Sequence, residues 1–498
     1  MTTDRRRPAA RPRLVAIARI AVLGLCTVGG ALLAIAFGDV LYSSSLPPLR
    51  PWHVERLEHE FEAGQARAGY GFDDYLAQEQ RLFDEVQALR VAHFDPALDT
   101  AISRYAPDRG PYAKRLDRDW NRSYRLPASP QRGVALLVHG LSDSPYVLRS
   151  VAGALHAAGV TVYGLRLPGH GTLPSGLDHA LWEDWLAAVD LTVRQIRRDH
   201  PEAPFWYVGF STGATLGLKH SVDAIAAGRE DLLPRRLFLL SPAMGVSPLA
   251  KLANVQRLIS RWGVAPKARW ADIGPEIDPY KYASFAKNAG AQIAALIDRL
   301  YADLDRMERD GSIARLPPVA GFQSIADATV STPDLASRFY GRLRGGASEL
   351  VLFDVNRQAG LEALLAFSPA AVIAAFEGAP RREFRLTVLH NAGTRPTLIE
   401  SVLAPGATQP VDRALDLAWP QGVVSLSHLA LPVAPDDPIY GLAAPSHDGL
   451  VSLGALALRG EHGVIAIAPA QQLRLRSNPF FGYVMALILG ALDEPAAR

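Results

Sequence analysis

The sequence is poor in sulfur and in lysine. Its one cysteine, Cys26, excludes an internal disulfide and any cysteine-rich metal site. Lysine occurs six times against 46 arginines. No H-E-x-x-H, C-x-x-C or G-x-x-x-x-G-K-[ST] pattern is present, so neither metal nor nucleotide chemistry has a motif to rest on, and no cofactor or metal is expected. Internal repeats and low-complexity segments are absent too. A strong charge of one sign is also missing from the body of the chain. The net charge is +2, but residues 1–19 hold six arginines against Asp4 alone, which leaves 46 basic and 49 acidic residues elsewhere. A slightly acidic body is a poor match to nucleic acid, and no nucleic-acid partner is expected.

What is present is apolar bulk: 498 residues, 49% of them hydrophobic, enough to bury a large core. From Ile20 to Phe37 no residue is charged. As a helix this run spans roughly 27 Å, close to the hydrocarbon thickness of a bilayer. Arginines precede it and Asp39 follows, which predicts a cytoplasmic N-terminus. The expectation is a single-pass anchor in the inner (cytoplasmic) membrane, with the body on the periplasmic or extracytoplasmic side. A cleaved signal peptide ending near Ala34-Ile35-Ala36 is the alternative, and it exports the body equally. The chain then divides into residues 1–41 (basic terminus and anchor), 42–126 (linker and amphipathic helices) and 127–495 (the main domain). Ser43–Pro51 reads as extended linker. Beyond it, Leu57, Phe61, Tyr75, Leu76, Leu82, Phe83, Val86 and Leu89 recur at helical spacing.

From residue 133 short apolar strands alternate with helix-length segments. The strands are Val134–His139, Val160–Leu165, Phe205–Phe210, Arg236–Ser241, Val319–Ile325 and Glu349–Val355. Helices fit at Pro145–Ala158, Leu181–Arg198 and Thr212–Ala226. Near-continuous apolar strands in this rhythm predict an α/β fold with a mostly parallel sheet covered on both faces. Residues 243–316 break the rhythm with Trp262, Trp270, Tyr280, Tyr282, Phe285 and Tyr301, and are expected to form a helical lid insertion above the C-terminal edge of the strands.

Two loops carry the chemistry. Phe205–Val208 runs into Gly209-Phe210-Ser211-Thr212-Gly213 and a helix follows, the setting in which G-x-S-x-G presents a nucleophilic serine. Gly209 and Gly213 let strand and helix approach around Ser211. Val134–Val138 leads into His139-Gly140-Leu141, where a second oxyanion donor arises. The expected donors are the backbone N–H groups of Leu141 and Thr212. His139 reads as a brace for this loop, and Asp143 as a capping residue.

Val138–Pro145 (VHGLSDSP), Leu165–Gly171 (LRLPGHG) and Gly209–Gly213 (GFSTG) together resemble the α/β-hydrolase superfamily, particularly its monoglyceride-lipase and carboxylesterase-like branch. The resemblance covers residues 133–243 and extends to about residue 330. It implies an α/β-hydrolase fold, a structural role for His170, and a triad in the chain order serine, acid, histidine. Asp327, two residues beyond the strand Val319–Ile325, matches the acid. The family places its histidine after the next strand, but Asp354-Val355-Asn356-Arg357 has none. His390, His428, His447 and His462 remain downstream of Asp327. His428 ends the apolar stretch Gly422–Ser427, a strand tip followed by a long loop, and ranks first, with His447 and His390 next. If so, residues 357–421 add helix and strand outside the basic sheet. Asp436-Asp437 reads as a solvated turn. The expected function is a membrane-anchored serine hydrolase cleaving small or lipid-like carboxylic esters through an acyl-enzyme. The alternatives are a thioesterase, acyltransferase or amidase with the same triad, or a non-catalytic exported scaffold.

Overall fold

A computed structural model describes residues 23–494, apart from 25, 28–29, 31–33, 35–36, 68, 98, 101, 246–265, 359–361, 379–381, 443–449 and 455–471. Most of the run Ile20–Phe37 lies outside the described residues. Among those described, no helix is long and apolar enough to cross a membrane.

Six apolar segments form the parallel heart of a ten-stranded sheet: β2 (Gly133–Val138), β3 (Val160–Leu165), β4 (Phe205–Phe210), β5 (Arg236–Leu240), β6 (Val319–Ser324) and β7 (Ser348–Phe353). Each lies within a residue or two of its expected position. Nearly every residue in them is buried, as two covered faces require. Side chains alternate between the faces: Val134, Leu136 and Val138 join one core, Ala135 and Leu137 the other. The first core is filled by α1 (Phe72–His93), α3 (Trp182–Asp199), α4 (Thr212–Ala226) and α5 (Lys287–Asp310). The second is filled by α2 (Arg149–Ala157) and α7 (Phe481–Gly490). The amphipathic spacing expected before residue 100 is realised mainly in α1, where Phe72, Tyr75, Leu82, Phe83 and Val86 are buried.

The insertion at 243–316 is divided in the structure. Trp262 lies outside the described residues. Trp270–Asp272 and Phe285–Ala286 pair as a small antiparallel ribbon. Lys287–Asp310 then supplies α5, the crossover that two adjacent parallel strands, β5 and β6, need. Its Leu296, Ile297, Leu300 and Leu304 pack in the helical layer with α3 and α4. Asp39 pairs with Lys287, and Tyr42 donates to the Ala271 carbonyl at 2.8 Å, so the start of the body is fastened to this segment.

Beyond β7 the sheet continues. α6 (Pro369–Glu377) is followed by β8 (Phe384–Asn391), parallel to β7, then by β9 (Thr397–Leu403) and β10 (Val411–Ala418), each antiparallel to its neighbour. The extra strands therefore extend the main sheet instead of standing outside it. At the opposite edge β1 (Tyr124–Leu126) pairs antiparallel with β3, giving the order β1-β3-β2-β4-β5-β6-β7-β8-β9-β10. The loops after β2, β4 and β6 all leave at the C-terminal edge of the parallel strands, where open α/β sheets gather their sites.

Candidate active site

β4 ends at Phe210 and α4 begins at Thr212, which leaves Ser211 alone to turn the chain. Its backbone sits at φ 51°, ψ −115°, a strained conformation for a residue with a side chain. The turn is held by the Ser211 N–H donating to the Leu240 carbonyl at 2.9 Å and the Ala243 N–H donating to the Ser211 carbonyl at 3.2 Å. It also needs Gly213: a Cβ there would lie 2.1 Å from the Val138 carbonyl oxygen. At Gly209 a Cβ would meet the Ala214 backbone nitrogen at 2.5 Å.

The loop after β2 runs alongside. A Cβ on Gly140 would come within 3.0 Å of the Ser211 Cβ, so the bare backbone passes directly over the serine. Neither the Leu141 nor the Thr212 N–H has a hydrogen-bond partner among the described residues. The loop is fixed from both sides. His139 accepts from the Leu167 N–H through Nε2 at 3.0 Å, and its Nδ1 lies 2.8 Å from the Gly140 carbonyl oxygen. Burial, with His170 beside it, holds its pKa well below the ordinary value, as a neutral brace requires. His170 is likewise depressed by burial, to about 3, with Nδ1 3.0 Å from the Pro168 carbonyl oxygen. Asp143 caps no helix. It is ion-paired to Lys281, whose Nζ lies 2.7 Å from Asp143 Oδ1 and 3.0 Å from Ser142 Oγ. The neighbouring Tyr282 N–H donates to the Ser142 carbonyl at 2.9 Å.

Asp327 follows β6 and its side chain is fully covered. Its Oδ2 lies 2.7 Å from His428 Nδ1 and accepts from Gln323 Nε2 at 3.0 Å. Its Oδ1 accepts from the Thr329 and Val330 N–H groups at 2.8 and 3.1 Å. Burial pushes this carboxyl up, but the His428 imidazole and the two amides outweigh it, and the pKa falls below the ordinary carboxylate value. His428 is 3% exposed and its ring packs on Phe210, the residue before the serine, at a centroid distance of 5.1 Å. The structure thus gathers Ser211, Asp327 and His428 at one edge. No hydrogen bond joins the Ser211 hydroxyl to an imidazole among the described residues. Such a bond commonly closes only in the substrate complex.

His428 does not end a strand. It opens a single 3-10 turn, His428–Ala430, and the stretch before it is irregular. What holds this stretch is long-range. Asn356 donates through Nδ2 to the Val423 carbonyl at 2.8 Å and through its N–H to the Val424 carbonyl at 2.7 Å. Ser324 Oγ donates to the Leu426 carbonyl at 2.8 Å. Where the resemblance leads one to expect a histidine, Asp354 is instead buried against Arg357, with Nε donating to Oδ2 at 2.6 Å. His390 lies on β8 with Nε2 2.8 Å from Ser401 Oγ, and is not bonded to Asp327. His447 and His462 lie outside the described residues. Asp437 is not a solvated turn residue: it is 3% exposed, and its Oδ1 accepts from Tyr146 Oη at 2.7 Å and from the N–H groups of Ile439 and Tyr440 at 2.9 Å each. No cluster of metal-ligating side chains occurs among the described residues. Sequence reasoning missed Lys281, Tyr282, Asn356 and Gln323. Lys281, Tyr282 and Asn356 act across long sequence separations, Gln323 acts on Asp327 nearby in the chain, and none carries a local pattern.

Residues 129–339 match the family model described as serine aminopeptidase, S33. That match covers less than half of the chain. A thermostable monoacylglycerol lipase from Bacillus sp. (strain H-257) is 35% identical over 83 residues, which is 17% of this chain and 32% of that protein, so the match spans about a third of that relative's length. Two solved structures are also similar. The monoacylglycerol lipase of Paleococcus ferrophilus is 20% identical over 51% of this chain and 97% of its own, with a TM-score of 0.36. A soluble variant of the Saccharomyces cerevisiae monoglyceride lipase, in complex with a substrate analogue, is 14% identical over 47% of this chain and 82% of its own, with a TM-score of 0.36.

Proposed function

We propose that the protein is a serine hydrolase that cleaves small or lipid-like carboxylic esters. The observation that carries this reading is the 2.7 Å contact between His428 Nδ1 and Asp327 Oδ2, formed beside a serine on a strained strand-to-helix turn. With Nδ1–H given to Asp327, the lone pair of Nε2 is left to take the Ser211 proton as Oγ attacks the ester carbonyl. The carbonyl oxygen becomes an oxyanion facing the Leu141 and Thr212 amides, which have no other partner among the described residues. Collapse passes the proton from Nε2 to the leaving alcohol and leaves an acyl group on Ser211. Water, deprotonated by the same nitrogen, then releases the acid and restores the serine.

In this reading the part of 243–316 above the strands forms the lid, and residues 127–495 form the hydrolase domain behind the 42–126 linker. The uncharged run Ile20–Phe37 anchors the chain in the inner membrane with the domain outside the cytoplasm. Its hydropathy and its flanking arginines support that placement. The serine-aminopeptidase description of the matching family favours a second reading, amide cleavage with the same residues, since the triad sets the mechanism and not the leaving group. A p-nitrophenyl ester and the corresponding p-nitroanilide separate the two.

Two outcomes are expected. A fluorophosphonate probe labels the wild-type chain and fails to label Ser211→Ala. Folded wild-type protein that stays unlabelled removes the assignment. Asn356→Ala, which frees the 423–424 backbone, lowers kcat by roughly 10- to 100-fold with little change in KM, because a base misplaced by about 1 Å loses rate before it loses affinity. Steady-state kinetics on a short p-nitrophenyl ester reads both parameters.

A further inference from the structure

Within the 243–316 insertion, the short segment Asp278–Tyr282 is fastened to its surroundings at both ends. Asp278 Oδ1 accepts from the Tyr280 and Lys281 N–H groups at 3.0 and 3.1 Å and from the Tyr440 hydroxyl, and Oδ2 accepts from Arg476 Nη1 at 3.1 Å. Tyr282 Oη accepts from the Thr172 N–H at 2.8 Å and donates to the Gly169 carbonyl at 3.2 Å. Between them the Tyr280 ring stacks on Tyr146, with centroids 4.0 Å apart. A lysine side chain is flexible by itself, but one carried on a backbone held in this way has its ammonium aimed.

Lys281 Nζ meets the two residues that follow Leu141, donating to Ser142 Oγ at 3.0 Å and to Asp143 Oδ1 at 2.7 Å. Ser142 has φ 63°, in the left-handed region, which a residue with a side chain keeps only where its surroundings fix it. The fixings here are Nζ on its hydroxyl and the Tyr282 N–H on its carbonyl at 2.9 Å. Asp143 is 4% exposed, and a carboxylate so buried needs a counter-charge; among the described residues Lys281 is the cation ion-paired to it. The Asp143 N–H donates to the Gly140 carbonyl at 3.3 Å, and a Cβ on Gly140 would come within 2.8 Å of Asp143 Oδ2 and 3.0 Å of the Ser211 Cβ. The carboxylate therefore packs against the same backbone that crosses the serine. Without Lys281 the loop would lose a hold on its strained residue and keep an uncompensated negative charge beside the place where an oxyanion forms.

We propose that Lys281 is a positioning residue: through Ser142 and Asp143 it holds the Leu141 N–H toward the carbonyl oxygen of an ester bound at Ser211. This role rests on the hydrolase reading above and adds to it the part of the chain that sets the oxyanion site.

Steady-state kinetics of the full-length chain on a short p-nitrophenyl ester tests it. Lys281→Met lowers kcat by roughly 10- to 100-fold and changes KM by less than about threefold, because a displaced donor is missed in the transition state and not in the ground state. Lys281→Arg, which keeps a cation able to reach both oxygens, returns kcat to within about fivefold of wild type. An alkyl trifluoromethyl ketone, which adds to the serine as an oxyanion, loses affinity for Lys281→Met by the factor by which kcat/KM falls, while the matching secondary alcohol binds both chains alike. Thermal melts show whether each variant is folded, and Lys281→Gln, which keeps a donor without the charge, replaces Lys281→Met if the latter is not, with a loss of kcat expected again. Wild-type kcat in the folded variant, a loss confined to KM, no recovery in Lys281→Arg, or undiminished ketone affinity each overturns the role. Failure of the hydrolase reading looks different: the wild-type chain itself is then inactive and unlabelled by fluorophosphonate, and the role falls with it.

Discussion

His428→Ala lowers kcat for ester hydrolysis by roughly 10⁴- to 10⁶-fold, while His390→Ala and His447→Ala retain wild-type turnover. The size of the effect follows from the geometry. A serine hydroxyl is a weak nucleophile until a base takes its proton, and removing the base idles the serine and the acid together. His428 is the imidazole bonded to Asp327, whereas His390 spends its nitrogens on Ser401 and the Asn391 carbonyl. Initial rates on a p-nitrophenyl ester, with thermal melts as the folding control, decide the matter. Full activity in His428→Ala, or its loss in His390→Ala, would reassign the base.

The proposed nucleophile and the proposed base were unequally legible in the sequence for a physical reason. Ser211 sits where local chemistry leaves a mark: an apolar strand, two glycines that the backbone contacts require, and a helix, all within a few residues. The parallel strands were equally plain, because burial on both faces makes each an uninterrupted apolar run. His428 has no such local support. Its carrier is irregular chain tied down by Asn356 and Ser324, residues about 70 and 100 positions away, so the apolar pattern at 422–427 looked like a strand that does not form. β9 and β10 escaped for the opposite reason. β10 is a largely exposed edge strand, and its mixed sequence Val411–Ala418 has no buried face to pattern it. Asp437 and Lys281 were read too blandly or not at all, since only the tertiary structure buries the one and aims the other at the loop beside Ser211.

Asp327→Asn tests the remaining member of the proposed triad in two independent ways. With a carboxylate opposite, His428 keeps its proton on Nδ1 and its lone pair on Nε2. An amide that turns its NH₂ toward Nδ1 reverses this, leaving the proton on the nitrogen that must accept from Ser211, and kcat falls by about 10⁴-fold at neutral pH. The second readout is stability. The folded pKa of Asp327 lies below its ordinary value of 3.8, so on acidification the unfolded chain takes up the proton first. The stabilisation this group contributes is therefore complete at neutral pH and is lost as the pH falls through the folded value. Wild type should melt above Asp327→Asn at pH 7, and the gap should close below about pH 4. A gap that is flat from pH 7 to pH 3 would mean that the carboxylate is not held in its charged form by the contacts seen around it. A catalytic loss without any such gap would assign Asp327 a role in orienting His428 and none in holding the fold.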